Sequence, residues 1–125
     1  MTLIYVAVAA GGAFGSVLRY VITQVAAQVL GTGWPYGTWM VNAAGSLLIG
    51  VMSVILSRYV DNPALAAFFI TGFLGGFTTF SSFMNETMQY MMSGLWLEAF
   101  GYLGMELGCG LFMVFAGIMI ARTIF

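Results

Sequence analysis

Four apolar stretches, each long enough to cross a lipid bilayer as a helix, make up most of this sequence. A helix of about 20 apolar residues spans the hydrocarbon core of a bilayer. Charged residues are 6% of the chain, whereas a soluble domain has about 25%. Because so little charge cannot cover a water-soluble surface, the pattern predicts an all-α, multi-pass protein of the inner (plasma) membrane, surrounded by lipid.

The apolar stretches predict transmembrane helices at about residues 3–30, 36–57, 64–92 and 97–124, in a single domain over residues 1–125. Short turns separate them, so consecutive helices are expected to be antiparallel neighbours. The first stretch lacks a basic start and a small-residue cleavage site, and is therefore expected to be a retained helix and not a signal peptide. Glycines four apart, Gly11 with Gly15 and Gly104 with Gly108, predict close helix packing.

The other residue types exclude several classes of function. A net charge of −1 gives no electrostatic basis for binding nucleic acid. The chain has no histidine and a single cysteine, Cys109, so neither an internal disulfide nor a metal cluster of such residues is expected. It has no HExxH zinc motif, no phosphate-binding GK[ST] loop and no histidine base. We therefore expect that the protein is not an enzyme.

The few arginines give only a weak preference for one orientation in the membrane. Arg58 and Arg122 lie at the ends of the second and fourth predicted helices, which share one side, and Arg19 lies within the first helix. This favours a cytoplasmic N-terminus by about one charge. A chain that inserts in both orientations can form an antiparallel homodimer with a twofold axis in the membrane plane.

The stretch from Gly72 to Phe83, GFLGGFTTFSSF, is unusual for the middle of a membrane helix. Gly75 and Gly76 each weaken a helix by about 1 kcal/mol relative to alanine, and the following hydroxyl groups can bind freed backbone groups. The stretch therefore predicts a helix broken at mid-membrane. Freed carbonyls suit Na⁺, and freed amides suit anions. Phe80 and Phe83 share a face beyond the break, and their electropositive ring edges suit an anion.

Two further polar residues inside the predicted helices have alternative interpretations. Arg19 either extends its side chain to the membrane surface or faces a water-filled vestibule that attracts anions. Asn42 either bonds two helices together or lines a pathway, and Thr38 lies one turn before it on the same face. Polar groups at this depth are costly, so each indicates a function.

Three motifs together resemble the Fluc/CrcB fluoride channels: GGFTTFSSF in the third helix, GTWMVN in the second and GGAFGSVLRY in the first. The resemblance covers essentially the whole chain. It implies a passive, fluoride-selective channel that exports cytoplasmic fluoride. It also implies a dual-topology homodimer with two pores and a structural Na⁺ at the dimer centre.

The resemblance also implies roles for individual residues. Arg19 would lie in an aqueous vestibule, and the backbone carbonyls of Gly75 and Thr78 would hold Na⁺. The fluoride pathway would be lined by residues from three helices: Thr38, Asn42, Phe80, Ser82, Phe83, Glu86 and Tyr102.

The fourth helix departs from the family pattern. The family has hydroxyl residues at four-residue spacing after the tyrosine, whereas this chain has Tyr102, Glu106, Gly110 and Val114. An ionised Glu106 would repel fluoride, but a protonated Glu106 would join the pathway and donate its O–H to the ion. Alternatively, another face carries the ion, or this pore is degraded and a paralogous subunit supplies the working one.

Two other function classes fit parts of the sequence. A small dual-topology, proton-coupled exporter of organic cations would use Glu106 or Glu86 as its carboxylate. It would have no evident use for the broken helix or for the paired phenylalanines. An accessory membrane subunit would leave Arg19, Asn42 and Thr38 without a role.

Overall fold

The computed structural model describes all 125 residues, and its ordered elements are all helical. The helices are α1 (Thr2–Leu30), α2 (Tyr36–Tyr59), α3 (Pro63–Ala66, Ala67–Leu74 and Gly75–Phe77, run together), α4 (Phe80–Met92) and α5 (Trp96–Ile124). Taking α3 with α4, four helical spans are long and apolar enough to cross a membrane. The prediction of an all-α, multi-pass membrane protein is confirmed.

The third span is broken between α3 and α4, as predicted. Thr78 (φ −90°, ψ 159°) and Thr79 (φ −147°, ψ 118°) are extended. The break comes after Phe77 and not directly after Gly75, which keeps helical angles (φ −63°, ψ −37°). Both the N–H and the hydroxyl of Thr78 donate to the carbonyl of Leu74, at 3.0 and 2.9 Å, and so end the first half-helix.

The segment before the break is not a regular α-helix. Residues Ala67–Leu74 form a π-helix, in which each backbone hydrogen bond reaches one residue further than in an α-helix. Such segments are frequent at functional sites. In this chain the departure from α-helical hydrogen bonding lies in this π-helical segment, and Gly75 and Gly76 after it are helical.

Glycines let the helices pack in two close pairs, α1 with α3 and α2 with α5. A Cβ on Gly72 would lie 2.7 Å from the carbonyl oxygen of Val8, and one on Gly117 would lie 3.2 Å from the Cα of Gly50. The predicted close packing of Gly15 is present, against Phe73 and Phe77. The second predicted pair behaves differently, because Gly104 and Gly108 are exposed and nothing lies within 4 Å of a Cβ built on either.

The outer surface is apolar and the interior contains polar groups, the inverse of a soluble protein. Leu97 is 84% exposed and Leu111 75%, whereas Glu106 is 7% exposed and Tyr102 1%. Lipid accounts for the exposed side chains, since their transfer from water into a bilayer is favourable. The buried polar groups require a separate explanation.

Gly15→Ala should destabilise the protein by about 1–3 kcal/mol, because the new methyl would overlap the backbone of α3. Its Cβ would lie 2.9 Å from the amide nitrogen of Phe77. Gly12→Ala, on the same helix, is the control, since the nearest atom to its Cβ is the Gly72 carbonyl oxygen at 3.9 Å. Thermal unfolding in detergent should show a lower midpoint for Gly15→Ala only; equal midpoints would contradict the packing.

Candidate functional site

Asn42 closes the gap that the helix break opens. Its Nδ2 donates to the Thr79 carbonyl at 3.0 Å, and its Oδ1 accepts from the Thr79 N–H at 2.8 Å. We call this pair of hydrogen bonds the Asn42–Thr79 clamp. Backbone groups at membrane depth have no water to bind, so they must be satisfied by protein. One side-chain amide on α2 thus satisfies both polar groups of an extended residue.

Thr79 also begins the second half-helix. Its Oγ1 accepts from the N–H of Ser82 at 3.2 Å, which is an N-cap hydrogen bond. The cap sets the direction in which the first turn of α4 presents its side chains. Phe80 is 71% exposed and Phe83 is 4% exposed, and their rings meet edge to face at 6.0 Å. Ser82 lies between the two phenylalanines in the sequence, and its side chain is half-buried.

Arg19 binds the other side of the break. Its Nε donates to the Gly76 carbonyl at 2.8 Å, and the side chain is half-buried. A cation is favourable beside the carbonyls that end a helix. Neither interpretation of the sequence included this contact between α1 and α3; a role for Arg19 in an aqueous vestibule stays a prediction.

A continuous set of hydrogen bonds connects three helices beside the break. We call it the polar chain; its members, in order, are Thr38, Glu86, Tyr102, Glu106 and Asn42. The Thr38 hydroxyl donates to Glu86 at 2.5 Å. The Tyr102 hydroxyl lies 3.3 Å from Glu86 Oε2 and 3.1 Å from Glu106 Oε1, and Asn42 Nδ2 lies 3.2 Å from Glu106 Oε2.

The polar chain therefore contains four residues that the resemblance assigned to the fluoride pathway. It connects them by hydrogen bonds to Glu106, whose role the sequence left open. Aromatic rings enclose Tyr102: Phe83 and Trp34 each meet its ring edge to face at 5.3 Å. The chain ends at the Asn42–Thr79 clamp. Glu106 is bonded to Tyr102 on one side and to Asn42 on the other, so its buried carboxyl group belongs to this site.

Two cavities lie beside the carboxyl groups that Tyr102 contacts. The first, of about 400 Å³, is lined by Thr38 and Glu86 together with Tyr36 and Tyr90. The second, of about 360 Å³, is lined by pathway candidates and by the break: Asn42, Gly75, Thr78, Thr79, Phe80, Phe83 and Glu106. One carboxyl group thus lines each cavity, Glu86 the first and Glu106 the second, and the Tyr102 hydroxyl contacts both carboxyl groups.

The break offers oxygen ligands to a cation. Arg19 and Asn42 bind the carbonyls of Gly76 and Thr79, whereas those of Gly75 and Thr78 have no side-chain partner. Unwound carbonyls and half-helix ends are the ligands that Na⁺ takes in membrane proteins. No group of three or more His, Cys, Asp or Glu residues is placed to hold a metal. Backbone carbonyl oxygens such as those of Gly75 and Thr78 are the kind of ligand that suits Na⁺, whereas soft transition metals prefer nitrogen and sulfur ligands.

Asn42→Ala should lower stability markedly. It leaves the Thr79 N–H and carbonyl unpaired, and each unsatisfied buried group costs about 1–3 kcal/mol. Asn85→Ala is the matched control, because Asn85 is exposed on α4. Thermal unfolding and hydrogen exchange should show a less stable protein and faster exchange at Thr79 in Asn42→Ala. Unchanged exchange at Thr79 would contradict the clamp.

Known proteins with similar sequences identify the family. The family model described as "CrcB-like protein, Camphor Resistance (CrcB)" matches residues 6–118. A protein of Shewanella loihica is 44% identical over 110 residues, which are 88% of this chain and 89% of the relative. One of Chloroflexus aurantiacus is 43% identical over 117 residues, 93% of both chains, and one of Flavobacterium psychrophilum is 41% identical over 124 residues, 98% of both.

All three relatives are named "Fluoride-specific ion channel FluC". The similarity extends over nearly the full length of each relative, and the family model spans all four membrane helices. The chain belongs to the CrcB-like family.

Proposed function

We propose that this protein is a passive, fluoride-selective ion channel that exports fluoride from the cytoplasm. The observation that carries the proposal is the second cavity, where the Asn42 amide, the Phe83 ring and the helix break meet. The names of the full-length relatives support the same function. As a multi-pass membrane protein, it lies in the inner membrane in bacteria.

The site residues offer what a small anion needs on leaving water. A strongly hydrated ion enters a narrow pore only where protein groups replace its water. The Asn42 amide and the Thr38 and Tyr102 hydroxyls, which donate to neighbouring protein groups in the ion-free chain, would turn to the ion as it passes. The ring edges of Phe80 and Phe83 carry partial positive charge. Ser82 adds a hydroxyl to the same turn of α4. A path of this kind needs no energy source, so fluoride moves down its own gradient.

The working unit is an antiparallel homodimer with two pores. Phe80 is 71% exposed, too much for a pore residue unless a second protomer covers it. Gly104 and Gly108 are open to close contact on α5, and small residues favour helix association in membranes. The weak charge bias lets each protomer insert in either orientation.

Na⁺ would lie at the dimer centre, held by the Gly75 and Thr78 carbonyls of both protomers. Gly75 is exposed on the surface of the single chain, where a partner can approach it. Bound Na⁺ supplies positive charge that draws these carbonyls together across the interface. Arg19 and Asn42 bind the neighbouring carbonyls and leave these two for the ion.

The exporter of organic cations is not supported by the names of the relatives. It would use the same buried carboxyl groups but would not need Phe80 or the break. Efflux of a loaded organic cation under a proton gradient, without fluoride flux, would favour it over the channel.

Liposomes that contain the purified protein should release fluoride, but not chloride, under an ion gradient with a charge shunt. Phe80→Ile should slow fluoride release at least about tenfold, a loss of about 1.4 kcal/mol of transition-state stabilisation. Phe14→Ile is the control, because Phe14 lies in an apolar groove on the outer face of α1. Absence of fluoride release from the wild type would refute the channel, and full activity of Phe80→Ile would remove Phe80 from the pathway.

Removal of Na⁺ should reduce fluoride release, because the carbonyls would repel one another across the interface. Protein purified and reconstituted in N-methylglucamine salts should release fluoride more slowly than protein kept in sodium salts. Addition of Na⁺, but not of the larger Cs⁺, should restore the rate. Identical rates in both preparations would exclude a structural Na⁺.

A further inference from the structure

Tyr102 lies between two carboxyl groups that the family pattern does not pair. Its hydroxyl oxygen is 3.3 Å from Glu86 Oε2 and 3.1 Å from Glu106 Oε1. A hydroxyl has one proton to donate. If both carboxyls were ionised, only one could receive it, and two negative charges would flank the tyrosine in an apolar membrane protein, where like charges repel strongly.

One added proton satisfies every group, and it can do so in two ways. In the first, Glu106 holds the proton and donates to the Tyr102 oxygen, Tyr102 donates to Glu86, and Thr38 donates to the other Glu86 oxygen. In the second, Glu86 holds the proton and donates to Tyr102, Tyr102 donates to Glu106, and Asn42 donates to the other Glu106 oxygen. The same hydrogen-bond geometry serves both arrangements.

We infer that Glu86 and Glu106 share a single proton through Tyr102, and that this proton changes side as fluoride passes. The inference rests on the proposed fluoride channel. In the transfer, the Glu86 O–H bond breaks as a Tyr102 O–H bond forms, while the original Tyr102 proton bonds to Glu106. One proton is thereby moved from Glu86 to Glu106, no tyrosinate forms, and the negative charge moves from Glu106 to Glu86.

The exchange explains how a fluoride path tolerates two carboxyl groups. Fluoride in the second cavity repels charge on Glu106, so the proton lies on Glu106 and the charge on Glu86. Fluoride in the first cavity repels charge on Glu86 and reverses the arrangement. Fluoride thus meets a neutral carboxyl group and not a negative charge at each step, while the carboxyl proton stays in its hydrogen bond to Tyr102.

The other titratable groups near Glu86 and Glu106 do not take part in the proton exchange. Tyr36 and Tyr90 line the first cavity, and Glu98 lies in the first turn of α5. From α1, Arg19 is bound to the Gly76 carbonyl. On α2, the groups that contact the pair, Thr38 and Asn42, do not titrate. The shared proton is therefore the charge-compensating element within the path.

The first test is the pH profile of fluoride release from liposomes, corrected for the leak of HF through protein-free vesicles. Wild-type flux should fall with rising pH once the shared proton dissociates, and the fall should approach about tenfold per pH unit because a single proton is lost. The double variant Glu86→Gln with Glu106→Gln has no proton to lose and should show a flat profile. Glu98→Gln is the control and should keep the wild-type profile, because Glu98 is exposed. A flat wild-type profile would overturn the inference.

The second test detects the proton itself. Infrared spectra of the wild type near neutral pH should contain the C=O band of one neutral carboxyl group, which Glu106→Gln should abolish. Fluoride, but not chloride, should shift this band as the proton changes side. Tyr102→Phe should remove the shift, whereas the exposed control Tyr20→Phe should retain it. Absence of the band from the wild type would overturn the shared proton.

These readouts separate the inference from the function on which it rests. A wild type without fluoride flux at any pH refutes the channel, whereas the infrared band still supports or overturns the shared proton. Fluoride flux without the neutral carboxyl band leaves the channel intact and overturns the inference.

Discussion

The two hydrogen bonds between Asn42 and Thr79 are the interaction on which the rest of the site depends. An extended residue at mid-membrane exposes an N–H and a carbonyl that lipid cannot satisfy, and each unsatisfied group costs several kcal/mol. The clamp satisfies both from one amide. It thereby permits the break, and the break in turn sets the start of α4 and the positions of Phe80 and Phe83.

The remaining polar residues follow from that constraint. Arg19 binds the Gly76 carbonyl near the end of the first half-helix, and Thr79 caps the second half-helix. The second N–H of Asn42 extends to Glu106, which links the clamp to the polar chain. A protein with few polar residues has therefore gathered several of its buried ones beside the break, where they complete one another's hydrogen bonds.

The sequence was sufficient to predict the four spans and the broken third helix, because these follow from apolar length and from residues that weaken a helix. It was not sufficient to locate the break, since the π-helical turn before Gly75 depends on contacts with α1. Nor could it show that Gly76 packs against the backbone of Gly12, where a Cβ would lie 2.8 Å from the Gly12 carbonyl oxygen, or that it accepts from Arg19, a residue 57 positions away. The partners of Glu106 depend on how α2 and α5 pack, which no local pattern encodes.

The motifs that carried the resemblance predicted which residues gather, because each motif lies where a helix meets the break. Glu106 departs from the pattern of the family, and its place became clear only from its contacts with Asn42 and Tyr102. The dimer stays a proposal: Phe80, Gly104 and Gly108 are exposed in the single chain, where the proposed partner would cover them.

The most direct test of the account is electrical. Current through a planar bilayer that contains the protein should be recorded with fluoride on one side and chloride on the other. If Asn42 and the phenylalanine edges line the pathway as proposed, they would exclude the larger halide, and the reversal potential should lie far toward the side set by fluoride. A reversal potential near zero, which would mean equal permeation of both ions, would contradict it.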